Sequence, residues 1–244
     1  MKKLILLSIL FFLGCSSSQM SVIRDIFISQ NIYSISKGIE LKYLFYLPDD
    51  YDSSTVSYPL VLFLHGAEER GTDIEKVKIH GITKHISQGQ NFPFITIAPQ
   101  CSKSSRWTDP KIVLALTKLI EQTISDYRVD SERVHATGIS MGGYGTFAIA
   151  IERPDLFSAI IPICGGVSLD RIHNLKEMPV WIFHGNADQV VPVENSIKAH
   201  NELILINDQV KLTIYPGVGH DSWTETYANE AVYAWLLNQR KSPQ

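Results

Sequence analysis

Five residues, Gly138-Ile139-Ser140-Met141-Gly142, constrain this chain more than any other feature. They form a G-x-S-x-G pattern between a short apolar run, Val134 to Thr137, and a helical segment rich in small residues, Met141 to Ile151. This arrangement predicts a sharp strand-to-helix turn with a serine hydroxyl at its tip. Both glycines are needed because strand, turn and helix pack too closely there for a side chain.

The rest of the chain has the alternation that such a turn requires. Phe27 to Ser34 and Ile39 to Leu47 read as an opening antiparallel pair joined through Lys37-Gly38. Leu60 to Leu64 and Phe94 to Ala98 are unbroken apolar runs, as expected of strands covered on both faces. Ile112 to Tyr127 has helical spacing, and Arg153-Pro154 ends the helix after the serine. Further strands are expected at Ala159 to Cys164, Val180 to Phe183 and Lys211 to Tyr215. Helices are expected at Val193 to Ile206 and at Trp223 to Gln239. Strand–helix–strand repeats of this kind build a mostly parallel sheet with helices on both faces.

The 244 residues suit one large domain, placed at residues 25–244. Hydrophobic residues make up 45% and charged residues 19%, enough for a sizeable core. Net charge is −3 with no basic block, which argues against nucleic acid as a partner. No metal-ligand spacing appears, and no cofactor is required. The first residues have another character. Met1-Lys2-Lys3 is positive, Leu4 to Leu13 is apolar, and Gly14-Cys15 is followed by serines. A bilayer-spanning helix needs about 20 apolar residues, so this run reads as an export signal over residues 1–15. Residues 16–24 read as a tether. Of the other cysteines, Cys101 and Cys164 follow strands that are not expected to be neighbours, so buried free thiols are favoured over a disulfide.

Ser140, His65, Asp188 and His220 all follow expected strands, and open sheets place their sites beyond the carboxyl ends of strands. The order Ser140, Asp188, His220 is that of a nucleophile, an acid and a base on this kind of scaffold. His220 would take the proton of Ser140, and Asp188 would hold the other ring N–H. The rivals are placed less well. His80 and His85 sit in a surface helix before the serine. His200 lies on an amphipathic helix. His184 precedes the acid and opens a strand-end turn, and Asp221 adjoins His220. An anionic intermediate also needs N–H donors, for which the backbone of Met141 and of Ala67 are the candidates. Gly66 is expected to take unusual backbone angles that turn the Ala67 N–H inward.

These residues resemble the α/β-hydrolase superfamily. The loop His65-Gly66-Ala67-Glu68-Glu69-Arg70-Gly71 is similar to the H-G-x-G-E-R-G pattern of a bacterial group. That group contains feruloyl-esterase-like and acetyl-xylan-esterase-like enzymes and predicted peptidases. Pro99-Gln100-Cys101, Trp107, Ser140 to Thr146, Ile163 to Gly166 and Gly219 to Trp223 fit the same group, and the likeness covers roughly residues 40 to 240. Glu68 departs from it, standing where glycine is usual. The Gly14-Cys15 pair resembles a bacterial lipoprotein signal. That likeness implies a lipid on Cys15, a membrane anchor and a place in the cell envelope.

The resemblance implies an α/β-hydrolase fold and a serine hydrolase acting on carboxylic esters, carbohydrate-linked or small and soluble. The short segment from Gly165 to Pro179 leaves no room for a large lid, which favours an open site. Trp107, Glu69 and Arg70 are candidate substrate contacts at this edge, although a loop-bracing Glu69–Arg70 pair and a packed Trp107 would serve structure alone. A serine peptidase with the same residues and a non-catalytic binding lipoprotein are the alternatives.

Overall fold

The computed structural model describes residues 28–35 and 39–241. The export signal, Cys15, the tether and the Lys37-Gly38 turn lie outside the described residues. Among those that are described, no helix is long and apolar enough to cross a membrane.

The chain opens with β1 (Ile28–Ile35), β2 (Ile39–Tyr46) and β3 (Tyr58–Leu64), followed by α1 (Gly81–Ser87) and β4 (Ile95–Pro99). Next come α2 (Pro110–Asp126), β5 (Val129–Ile139), α3 (Met141–Glu152) and β6 (Ala159–Ile163). It closes with β7 (Val180–Gly185), α4 (Glu194–Leu203), β8 (Val210–Tyr215), α5 (Trp223–Ala228) and α6 (Glu230–Leu237). The eight strands form one sheet in the order β1-β2-β4-β3-β5-β6-β7-β8. The first two pairings are antiparallel and the remainder parallel, which is the α/β-hydrolase arrangement.

The continuous apolar strands sort their side chains by period two into two cores. Leu60, Leu62 and Leu64 join a core that includes Leu116 and Leu119 of α2 and Phe147 of α3. Val61 and Phe63 face the other core, with Ile82 of α1, Tyr227 of α5 and Leu236 of α6. A strand covered on both sides has no polar face to show, so its sequence carries no alternation.

Three expected elements differ by more than two residues or are broken. β5 begins at Val129 rather than Val134, because its half-exposed first residues carry no apolar signal. α4 ends at Leu203, and the next three apolar residues are solvent-facing, with Leu205 77% exposed. The expected closing helix is two helices, broken at Asn229. That residue is extended, and its side chain accepts the N–H of Ala231 to start α6. Cys101 and Cys164 are buried and free. They follow β4 and β6, which are separated in the sheet by β3 and β5.

Candidate active site

Ser140 sits between β5 and α3 with φ 50° and ψ −114°, a conformation rarely adopted by a residue with a side chain. Its N–H donates to Ile163 O (3.0 Å), and its carbonyl accepts from Tyr144 N (3.2 Å), so both flanks over-determine the strained angle. The glycines allow the crossing. A Cβ on Gly142 would lie 1.9 Å from Leu64 O, and one on Gly138 would lie 2.5 Å from Gly142 O.

The acid and base arrive on loops after neighbouring strands. β7 pairs with β8 as far as Gly185 and Tyr215, and the loops beyond are tied by Ala187 N to Val218 O (2.9 Å). This tie brings the three expected side chains together. His220 Nε2 lies 2.9 Å from Ser140 Oγ, and His220 Nδ1 lies 2.7 Å from Asp188 Oδ2. The Asp188 side chain is fully buried, whereas that of His220 is 20% exposed. Burial works against the Asp188 charge, but the bond from His220 and the N–H groups of Val191 and Val190 outweigh it. The carboxyl is therefore held below the usual range. Asp221 is occupied elsewhere, accepting from the N–H and hydroxyl of Thr224 at the start of α5.

The loop after β3 lies beside this turn because Leu64 pairs with Gly138. Leu64 and His65 bring their backbone against Gly142 of α3, and Ala67 further along is exposed. The loop is braced from within. His65 is buried, with Nδ1 2.6 Å from Gly66 O and Nε2 accepting Cys101 N–H at 3.0 Å. Burial pushes its pKa down to about 4, so the ring is neutral at pH 7. It is a structural residue, not a second base.

Two of the three expected substrate contacts, Trp107 and Glu69, are buried, and Arg70 is half-exposed. Trp107 is fully buried, donates Nε1–H to His65 O (2.9 Å) and packs edge-on to the His65 ring. Its role is to hold the loop, because a ring with no accessible surface cannot meet substrate. Glu69 is 4% exposed and lies beneath Gly66, with Oε1 3.6 Å from His80 Nε2. Burial raises its pKa, and this carboxyl too is unavailable to substrate. Gly66 does not take a left-handed angle. Its missing side chain leaves room for Glu69, whose Oε2 would be 3.0 Å from a Cβ there. Arg70 does not pair with Glu69. It donates to the carbonyls of Ala67 (3.0 Å) and Lys103 (3.2 Å), bracing two loops.

Two features escaped sequence reasoning. A groove of about 630 Å³ runs along α3 from Tyr144 to its end, lined by Val113 and Leu114 of α2, by Tyr144, Phe147 and Ile151 of α3, and by Val167; Ser140, Asp188 and His220 are not in its lining. Its residues come from three separate segments of the chain, so no local pattern marks it. The second is His184, whose Nε2 lies 3.1 Å from Asp188 Oδ2. Only its position four residues before the acid hinted at a contact. Among the described residues, Cys164, Asp188 and His220 bring possible metal-ligand atoms within 4.8 Å of one another. Asp188 and His220 are already bonded to each other, and burial pushes the Cys164 thiol up to about 12.

Comparison with known proteins agrees with this geometry. The family model of phospholipases and carboxylesterases matches residues 82–230, more than half of the chain. The chain is 23% identical over 192 residues to a bifunctional acetylxylan esterase/xylanase of Neocallimastix patriciarum, a match covering 72% of this chain and 26% of that protein. It is 27% identical over 195 residues to a probable feruloyl esterase C of Aspergillus niger, with coverage of 76% and 69%. Among solved structures, a thermostable esterase is 36% identical with a TM-score of 0.79, over 89% of this chain and 64% of that one. The chain thus spans about a quarter of the Neocallimastix protein and just under two thirds of the thermostable esterase.

Proposed function

We propose that this chain, which belongs to the phospholipase/carboxylesterase family of α/β-hydrolases, cleaves its esters through an acyl-enzyme on Ser140. The observation that carries this reading is the pair of short contacts from His220, 2.9 Å to Ser140 Oγ and 2.7 Å to Asp188 Oδ2. Ser140 Oγ attacks the ester carbonyl carbon while its proton passes to His220 Nε2. The carbonyl oxygen becomes an oxyanion that accepts the N–H groups of Met141 and Ala67. Collapse breaks the bond to the alcohol, whose oxygen takes the proton from Nε2. Water then repeats the sequence on the acyl-enzyme and releases the acid. Asp188 holds Nδ1–H throughout and stabilises the imidazolium.

The substrate in this reading is a small soluble ester or one carried on a polysaccharide. Support comes from the acetylxylan and feruloyl esterases among the relatives, and from the groove beside Tyr144, which is of a size to take a sugar or phenol group. Hydrolysis of p-nitrophenyl acetate, acetylated xylan and feruloylated sugars by wild type and Ser140→Ala tests it. Loss of all turnover in the variant is expected, and equal rates in the two would overturn it. A fluorophosphonate that failed to label Ser140 in folded protein would favour a binding protein instead. We also propose a lipid on Cys15 that anchors the enzyme in a bacterial envelope. Metabolic labelling with a fatty-acid analogue should mark wild type and spare Cys15→Ala.

A further inference from the structure

Asp188 holds more hydrogen bonds than a simple relay needs. Its Oδ1 accepts the N–H groups of Val190 (2.8 Å) and Val191 (2.9 Å). Its Oδ2 accepts from His220 at 2.7 Å and also meets His184 Nε2 at 3.1 Å. His184 belongs to β7 and is fully buried, and the same Nε2 lies 3.0 Å from Val191 O. A carbonyl and a carboxylate can only accept, so the ring proton must sit on Nε2. Nδ1 is then the acceptor. The hydroxyl of Ser196, buried on α4, lies 2.7 Å from Nδ1 and donates its single proton there rather than to the carbonyl of Gly165 at 3.4 Å.

We propose that His184 is a positioning residue for ester hydrolysis: its Nε2–H, held in that tautomer by Ser196, fixes the carboxylate that orients His220. The contacts form one chain, Ser196–His184–Asp188–His220–Ser140, with the acid in the middle. A carboxylate bonded on one side only could swing about its side-chain torsion. Four donors, two on each oxygen, remove that freedom. The His184 bond also draws negative charge away from the oxygen that faces His220.

This second effect gives a signature that packing alone would not produce. Without the His184 donor, Asp188 Oδ2 is a stronger acceptor and favours the protonated His220 ring. The acidic limb of the kcat/KM profile then moves to higher pH. The titratable groups that face this network are Cys164 from the end of β6, His184 from β7, and His220 and Asp221 from the loop after β8.

The test compares His184→Phe, which keeps the volume, with His184→Gln, which keeps an N–H at the same reach. The Phe variant should lose about tenfold in kcat with KM little changed, as expected for one donor removed from a buried charge. Its acidic limb should move up in pH. The Gln variant should recover most of the rate and the wild-type limb. A folded Phe variant with unchanged kcat and an unmoved limb would overturn the proposal, as would a Gln variant equally impaired at the same Tm. Should the Phe variant not fold, imidazole nitrogen NMR of wild type decides. A proton on Nε2 of His184 supports the proposal, and one on Nδ1 refutes it. The inference rests on the proposed triad, and the two fail separately: activity surviving Ser140→Ala removes the triad, whereas silent His184 variants beside a dead Ser140→Ala remove only the positioning role.

Discussion

Asp188 stands between two serine–histidine pairs that are chemically alike and physically opposite. On one side, His220 and Ser140 are partly exposed, on loops and a strained turn. On the other, His184 and Ser196 are fully buried, on a strand and a helix. The contact distances are close, 2.9 Å from Ser140 to His220 and 2.7 Å from Ser196 to His184. Proximity of a serine to an imidazole is thus not what makes a nucleophile. The open pair has solvent on one side and an unfavourable backbone angle at its serine. The sealed pair has no room for a substrate, and its proton is committed to holding the acid.

That contrast is broken most directly by exchanging which serine is removed. Ser140→Ala should lower kcat by roughly a million-fold, while Ser196→Ala should cost no more than several-fold, as judged by p-nitrophenyl acetate turnover. Comparable losses in the two variants would abolish the distinction. Asp188→Asn strikes both halves together. Both histidines meet Oδ2 and two backbone N–H groups meet Oδ1, so an amide that keeps its oxygen on Val190 and Val191 turns its NH2 toward His220 and His184; the open ring loses its tautomer, and kcat should fall about ten-thousandfold with the fold intact by circular dichroism.

The sealed region should show itself in stability instead. Trp107→Phe removes the bond to His65 O inside the braced loop. About 1 kcal/mol of stability should go, read as a lower Tm or urea midpoint, with KM for small esters unchanged. A large rise in KM would put Trp107 back at the substrate. The smallest effect is on pH dependence. His65 stays neutral in the fold to about pH 4, whereas the unfolded chain protonates it near 6.5. The unfolded state therefore binds the extra proton, and stability falls as pH drops from about 6.5 towards 4. Asp188 has the opposite origin and acts lower. Its depressed pKa contributes stability above the ordinary carboxylate range, and this is lost as pH falls through its folded value. Urea unfolding from pH 7 to 3 should show a shallower slope in His65→Gln over the upper part of that window.

Much of this site could be read from order and spacing. That Ser140, Asp188 and His220 would lie at one edge was legible because each follows a strand, and a parallel sheet gathers strand ends there. The glycines at 138 and 142 were legible because the turn cannot close without them. Trp107 and Glu69 were left between substrate contact and packing for a definite reason. Loop residues near a site can point either way, and burial is settled by what packs over them. Gly66 was misread, since a glycine gives no local sign whether it serves an angle or a neighbour's carboxyl. Asn229 was overlooked because apolar periodicity runs through the break.

The residue pattern of this chain settles its layers, the strand-to-helix turn at Ser140 and the strand ends that carry Asp188 and His220, since these follow from local geometry and from strand polarity. Packing settles the remainder. The 2.7 Å contact of His220 with Asp188, the second histidine behind the acid, and the sealing of Ser196 all arise where α4 closes on β7 and the loops after β7 and β8 tie together. Those contacts join residues distant along the chain, and their distances depend on how side chains fill space, which no short stretch of residues can encode.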